Sequence, residues 1–285
     1  VEVITFFYFS NLLTRSWAYI SSHVFQQELF STALLIRIAY VAFIYFFYEL
    51  MTGMPHEFDA GDALNYHDQA VWIVDMLNTG KLSTFKSIFG NAVSDSGFSI
   101  WLSVIYFFTS NSIIAARLVN ALMSAWMCVL IYKLARRNFG EEAARISAIL
   151  AMLLPTFIYY SGLHNKETIM VFLLVAFAER ADYFLRLRTF NSWNLLSVVV
   201  LGTSLFFFRT VLAAAIWFAL FSALMLSADR LIGPARKTIY ILWFTVTSLM
   251  VISGSILSEV PGYFKDRTTN QQMQIKSLSI GKGAN

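Results

Sequence analysis

Charge is what this sequence has least of. Aspartate, glutamate, lysine and arginine make up only 13% of the 285 residues, whereas soluble domains carry roughly a quarter. The shortage argues against a water-exposed globular surface. A single cysteine, Cys128, lies inside an apolar run. It excludes a disulfide framework and a cysteine metal motif, and it reads as packing. Basic residues form no single patch. The net charge of +4 is spread over helix ends, so nucleic acid is not an expected partner. The opening VEVITFFYFSNLL has neither a basic leader nor a small-residue cleavage site, so a cleavable signal peptide is not expected there. The start at Val1 without methionine and the polar close TTNQQMQIKSLSIGKGAN suggest a trimmed or partial chain.

What is abundant is oil. Hydrophobic residues make 58% and aromatics 16% of the chain, and the mean hydropathy is +0.61. These values point to an integral membrane protein. A helical span needs ~20 apolar residues to cross a hydrocarbon core ~30 Å thick. Seven segments are read as spans: 33–51, 113–135, 143–161, 167–185, 193–208, 211–228 and 238–257, with Arg209 dividing the fifth from the sixth. Residues 1–32 mix aromatic and polar side chains and read as interfacial. Residues 258–285 read as a polar extracytoplasmic tail. The stretch GFSIWLSVIYFF (97–108) is apolar for only about a dozen residues, which favours a surface or re-entrant helix over a span.

Basic residues orient this arrangement. Lys133, Arg136, Arg137 and Arg145 fall in one link, Arg180, Arg186 and Arg188 in a second, and Arg230, Arg236 and Lys237 in a third. All three links are expected on the cytoplasmic side, with the N-terminus inside near Arg15. The 52–112 loop is then outside. That outer level collects the acidic stretch HEFDAGDALNYHDQA (56–70), the turn LHNKE (163–167), Arg209 and the polar tail. Ionisable groups near hydrocarbon are costly, and they mark functional paths.

Each candidate has a plainer alternative. Asp62, Tyr66 and Gln69 share one face of a helix starting near Ala60, yet Asp59 also suits an N-cap and Asp62 the third helical position. His67 and Asp68 point elsewhere and read as solvated surface. His56, Glu57, Asp59 and Asp62 form an oxygen-rich set that suits a divalent cation, although no fixed ligand spacing is present. Glu167 is favoured by the dipole at a helix N-terminus; Lys166 is not, so it has the stronger claim to a ligand role beside an anionic phosphate. Arg209 serves either for snorkelling or for charge-assisted hydrogen bonds to phosphate. Arg117, early in the second span, is weighed in the same way.

The order of these elements resembles a known family. An outer D-A-x-x-Y (Asp62, Ala63, Tyr66) is followed by RLVNAL (117–122), YKLARRNFG (132–140), LLPTFIYYSGLHNKE (153–167) and FFFRTVLAAA (206–215). Over about residues 33–220 the pattern resembles GT-C membrane glycosyltransferases, in particular the protein-mannosyltransferase and aminoarabinose-transferase relatives, which are glycosyltransferase family 39-like. The resemblance implies an all-α polytopic fold with membrane-parallel helices in the first outer loop. It implies transfer of a sugar from a polyprenyl-phosphate carrier to a glycan, lipid or protein acceptor on the extracytoplasmic face. Asp62, or Asp59, would be the base, while Lys166, Glu167, Arg209, Tyr66, His164 and Arg117 would contact substrate. The chain departs from the pattern in having Ala63 after Asp62 and Thr210 after Arg209. Two other readings compete: a glycan transporter or flippase, and a GT-C-like subunit without activity. Nearly bare midplanes argue against transport.

Overall fold

In a computed structural model the described residues are 2–58, 61–80, 96–186 and 192–226, with 238, 241, 242 and 245. They form helices with no strand among them. In chain order these are α1 (Glu2–Ser16), α2 (Ser22–Thr52), α3 (Gly61–Thr79), α4 (Ser96–Thr109), α5 (Ile113–Phe139), α6 (Glu141–Leu153), α7 (Pro155–Gly162), α8 (Glu167–Arg186), α9 (Ser192–Phe208) and α10 (Thr210–Leu226). The chain divides into two compact units, Val1–Ser222 and Ala223–Asn285; α1 to α9 and most of α10 lie in the first.

Two helices, α2 and α5, are long and apolar enough to cross a membrane. A third span results if α6 and α7, bent by 47° at their junction, count as one broken crossing. The expected seven therefore reduce to two or three by length and composition among the described residues. The reasons are physical. Both α9 and α10 have 17 residues, about 25 Å of helix against a core of about 30 Å. Helix α8 carries Glu179, Arg180 and Asp182 in its second half. The expected span 238–257 lies outside the described residues, apart from the isolated positions above. The first span starts earlier than expected: Ser21 caps α2 by accepting from the Val24 amide, so residues 22–32 are continuous with it.

Helix α5 is the centre of the packing and lies against α2, α6 and α8. Its contacts use small side chains. Ala121 and Ala125 on α5, Ala144 and Ala148 on α6 and Ala33 on α2 are all buried, and small residues at four-residue spacing let helix backbones approach closely. Phe25, Tyr132, Ile149 and Met152 fill the space between.

Ion pairs tie one end of the bundle together. Arg137 of α5 meets Glu179 at 2.8 Å and Asp182 at 3.0 Å on α8. Arg145 donates to the carbonyls of Trp17, Ala18 and Ile20, closing the α1–α2 turn. Because Glu167 and Ser124 line one cavity while Glu179 meets Arg137, α8 runs parallel to α5.

Arg37, midway along α2, is fully buried. Its Nε donates to Ser124 Oγ at 2.7 Å. Its Nη1 reaches the carbonyls of Ala33 at 3.1 Å and Met152 at 3.4 Å. Met152 sits just before the break. Pro155 brings no amide hydrogen, and the amides of Phe157 and Ile158 turn to Leu154. Arg37 thus supplies a donor where the helical ladder fails, which a membrane interior demands.

Candidate active site

The opposite end of the bundle is built from the 53–58 loop, α3, α4 and the turn before α8. Gly53 (φ 71°) closes α2 by donating to Glu49 at 3.0 Å, and its positive φ suits a residue without Cβ. The following loop is held by Arg117, fully buried near the start of α5, whose Nη2 donates to the Pro55 carbonyl. The Glu57 carboxylate lies 3.9 Å from the same nitrogen, and Glu57 Oε1 accepts from Asn165 at 3.4 Å. Arg117 therefore fastens the first loop to the bundle and sits at the heart of the site.

Helix α3 packs against α4 through Ala63, Tyr66, Ala70, Ile73 and Val74. On α4, Phe98, Leu102 and Tyr106 repeat every four residues and are fully buried, as one helical face requires. The Phe98 ring meets Tyr66 edge-on at 5.1 Å and His164 at 6.0 Å. Tyr106 Oη lies 2.8 Å from His67 Nδ1 and 3.2 Å from His164 Nε2. One hydroxyl carries one proton, so Tyr106 donates to one imidazole and accepts from the other. His56 completes a triangle, its ring 5.9 Å from both His67 and His164.

Burial keeps these imidazoles uncharged. Desolvation first, then the Arg117 guanidinium and His67, brings His56 down to about 4. His164 is held well below its ordinary value by burial, with Arg117 and the other two histidines adding to it. His67 is also lowered by burial, against the opposing pull of Asp68. An unfolded histidine titrates near 6.5. Between about 4 and 6.5 the unfolded chain binds more protons at His56, so stability rises with pH across that window. Stability from the uncharged His56 is complete above about 6.5 and lost as pH falls toward about 4. Thermal melting of the solubilised protein should drop steeply from pH 7 to pH 5, and His56→Gln should flatten part of that drop. A melting temperature level over this range would show that the triad does not titrate on unfolding.

Of the expected residues the structure brings Lys166, Tyr66, His164 and Arg117 to one end of the bundle. Lys166 Nζ stands 5.6 Å above the Tyr66 ring, which joins the mouth of α8 to α3. His164 is buried beside Tyr66's neighbour Phe98, and Arg117 is buried beneath the loop. Asp62 is exposed in the first turn of α3, one turn before Tyr66. Asp59 lies outside the described residues. Glu167 lines a cavity with residues of α5, α7 and α8. Arg209 is exposed at the break between α9 and α10. Two residues earlier, Phe207 packs so tightly on Gly97 that a Cβ there would come within 2.8 Å of the Phe207 side chain and 2.9 Å of its backbone.

His67 departs from its sequence reading. The surface position expected for it is half-buried against α4, because Tyr106 reaches across to its ring. Tyr106 and Asn120 were not singled out in the sequence, and Glu57 was read only as one of a cation-binding set, whereas here it lies beside Arg117 and Asn165. Asn120 follows Arg117 on the same buried face, and RLVNAL carried that signal in its spacing. Among the described residues no group of three histidine, cysteine or acidic side chains is disposed to hold a metal. Tyr106 already occupies one nitrogen each of His67 and His164.

Neither a curated protein nor a solved structure matches the chain. A family model described as dolichyl-phosphate-mannose-protein mannosyltransferase matches residues 97–257, from α4 onward. That match covers more than half of the chain, which therefore belongs to this family of GT-C-type, glycosyltransferase family 39-like membrane glycosyltransferases.

Proposed function

We propose that this integral membrane glycosyltransferase takes a sugar from a polyprenyl-phosphate carrier and passes it to a glycan, lipid or protein acceptor on the extracytoplasmic face. The observation that carries this reading is the Lys166–Tyr66 contact. It brings a cation at the mouth of α8 to the loop helix that bears Asp62 one turn away. A carboxylate beside the acceptor hydroxyl takes its proton as the new bond forms. The carrier phosphate leaves with added negative charge, which Lys166 and Arg209 stabilise as it develops. Direct displacement by one base inverts the anomeric carbon. Arg117 serves by fastening the 53–58 loop, and the neutral histidines with Tyr106 hold α3, α4 and the Lys166 turn together.

The family match begins at residue 97, so the role of Asp62 rests on this geometry and on the resemblance of the loop, and that of Asp59 on the resemblance alone. The ion-pair end of the bundle, rich in Arg136, Arg137, Arg145 and Arg186, suits the cytoplasmic side, which leaves the Asp62 end outside.

The test is transfer in enriched membranes supplied with polyprenyl-phosphate sugars. Lys166→Met should lower turnover by about 10²-fold, the scale for losing one preorganised charge at a developing anion. In intact cells a Met54→Cys variant should react with a membrane-impermeant thiol reagent. Undiminished turnover in Lys166→Met would remove the cation from the mechanism, and labelling of Met54→Cys only after lysis would reverse the face.

A further inference from the structure

Tyr106 lends one hydroxyl to two elements of the site. From α4 it meets Nδ1 of His67 on α3 at 2.8 Å and Nε2 of His164, in the turn before α8, at 3.2 Å. His164 is two residues from Lys166, so this chain of side chains joins the same two elements as the Lys166–Tyr66 contact. Tyr106 and His164 are fully buried, and His67 is half-buried. The charged and titratable groups around them come from each neighbouring element. His56 of the 53–58 loop has its ring 5.9 Å from both imidazoles. Arg117 of α5 adds positive charge beside His56 and His164, with Glu57 3.9 Å from its guanidinium. Asp68, exposed on α3, pulls the other way on His67 and His56.

The chain can hold a limited number of protons. With both imidazoles neutral, one donates its N–H to Tyr106 Oη and the other accepts the Tyr106 proton, and either direction works. A first added proton fixes the direction and keeps the chain. If His67 takes it, Nδ1–H donates to Oη and Tyr106 still donates to the bare Nε2 of His164. A second proton leaves no acceptor. Both ring nitrogens are then donors, and the buried Tyr106 O–H has lost its partner. His164 Nδ1, buried with no hydrogen-bond partner among the described residues, would carry an unmet N–H as well. The two rings are 6.2 Å apart, so two imidazoliums repel each other and the Arg117 guanidinium with little screening. Burial already holds both below their ordinary value, Arg117 adding to it at His164. We infer that His67, Tyr106 and His164 form a latch that positions the Lys166 turn against α3, closed with no proton or one added to its imidazoles and open with two. The inference rests on the transferase reading, in which Tyr106 becomes a positioning residue and acidity at the extracytoplasmic face regulates the site. A released histidine titrates near 6.5, so at a pH of about 5.5 each one favours the open form by about tenfold, and the pair by up to about a hundredfold.

Spin-label distances test the latch without needing turnover. Leu64→Cys on α3 and Tyr159→Cys on α7, the helix that leads into the His164 turn, lie at exposed positions; the native Cys128 is buried. The pair is labelled in the full chain in lipid nanodiscs and followed from about pH 7.5 to about pH 5. One short distance is expected at the upper end. A longer one should grow in below about 6.5, with the open-to-closed ratio rising by more than tenfold per pH unit, since more than one proton is taken up. His67→Gln keeps a hydrogen-bonding amide for Tyr106 but takes no proton, and should make that rise about tenfold shallower per unit, the share of one proton. Tyr106→Phe removes both hydrogen bonds and should show the longer distance at the upper pH, with transfer in the same nanodiscs reduced to match. A distance distribution unchanged across the range, or a slope in His67→Gln equal to the parent's, overturns the latch. His164→Gln makes the same slope comparison should His67→Gln fail to fold. The two ideas fail separately. Opening as described in a protein that transfers no sugar keeps the latch and removes the transferase reading, whereas full transfer at the lower pH with the short distance kept removes the latch alone.

Discussion

Asp62→Asn should abolish transfer while leaving the protein folded and in the membrane. Asparagine keeps the shape and hydrogen-bonding capacity of the side chain but cannot take a proton. Removing a positioned general base costs about 10²- to 10⁴-fold in rate. The structural cost is small by comparison. Asp62 is exposed in the first turn of α3, where its charge is worth about 0.3–1 kcal/mol to the helix dipole. The two roles therefore separate cleanly: melting temperature nearly unchanged, turnover lost. Full activity in Asp62→Asn, with loss in Asp59→Asn, would move the base to Asp59. Full activity in both would remove the carboxylate mechanism.

Arg37→Ala is expected to have the largest effect on stability. The guanidinium is buried amid α2, α5 and α6 and donates to Ser124, Ala33, Met152 and the Cys128 thiol at 3.5 Å. Truncation leaves the Met152 carbonyl without that donor at the broken end of α6, and it leaves a void where the side chain was. Removing a buried cation also relieves its desolvation, which partly offsets these losses. The net cost should be about 2–5 kcal/mol from cavity and unsatisfied groups together, read as a fall of roughly 5–15 °C in melting temperature. Arg37→Lys should recover part of it by restoring one donor. An Arg37→Ala protein as stable as the parent would show that the carbonyls at the break find other partners.

Legibility followed the range of the interactions. Helices made by local periodicity appear within a few residues of where the apolar runs put them: Ile113–Phe139 for 113–135, Glu167–Arg186 for 167–185 and Ser192–Phe208 for 193–208. The segment 143–161 reads as one span but is two helices; Pro155 was visible, but the donor that meets the Met152 carbonyl beside the break is Arg37, which belongs to another helix. Arg37 passed as part of a hydrophobic run because its partners lie 87 and 115 residues away. His56, His67 and His164 looked unrelated for the same reason, as only the Tyr106 hydroxyl, bridging His67 and His164, and the ring contacts of His56 make them a group. Lys166 and Tyr66 were legible as candidates because each sat badly with a purely local explanation, or shared a face with an acid. Their contact was not legible, since it required α3 and α4 to pack as a pair.

The tight seat of Gly97 on Phe207 couples two regions mechanically. With no side chain to act as a compressible spacer, the start of α4 and the last turn of α9 bear directly on each other's backbone. A displacement of the loop helices as a bulky lipid-linked molecule enters would be passed on to the Arg209 hinge almost without slack. On the proposed mechanism, the cation would then arrive at the leaving group in step with the loop that carries the base.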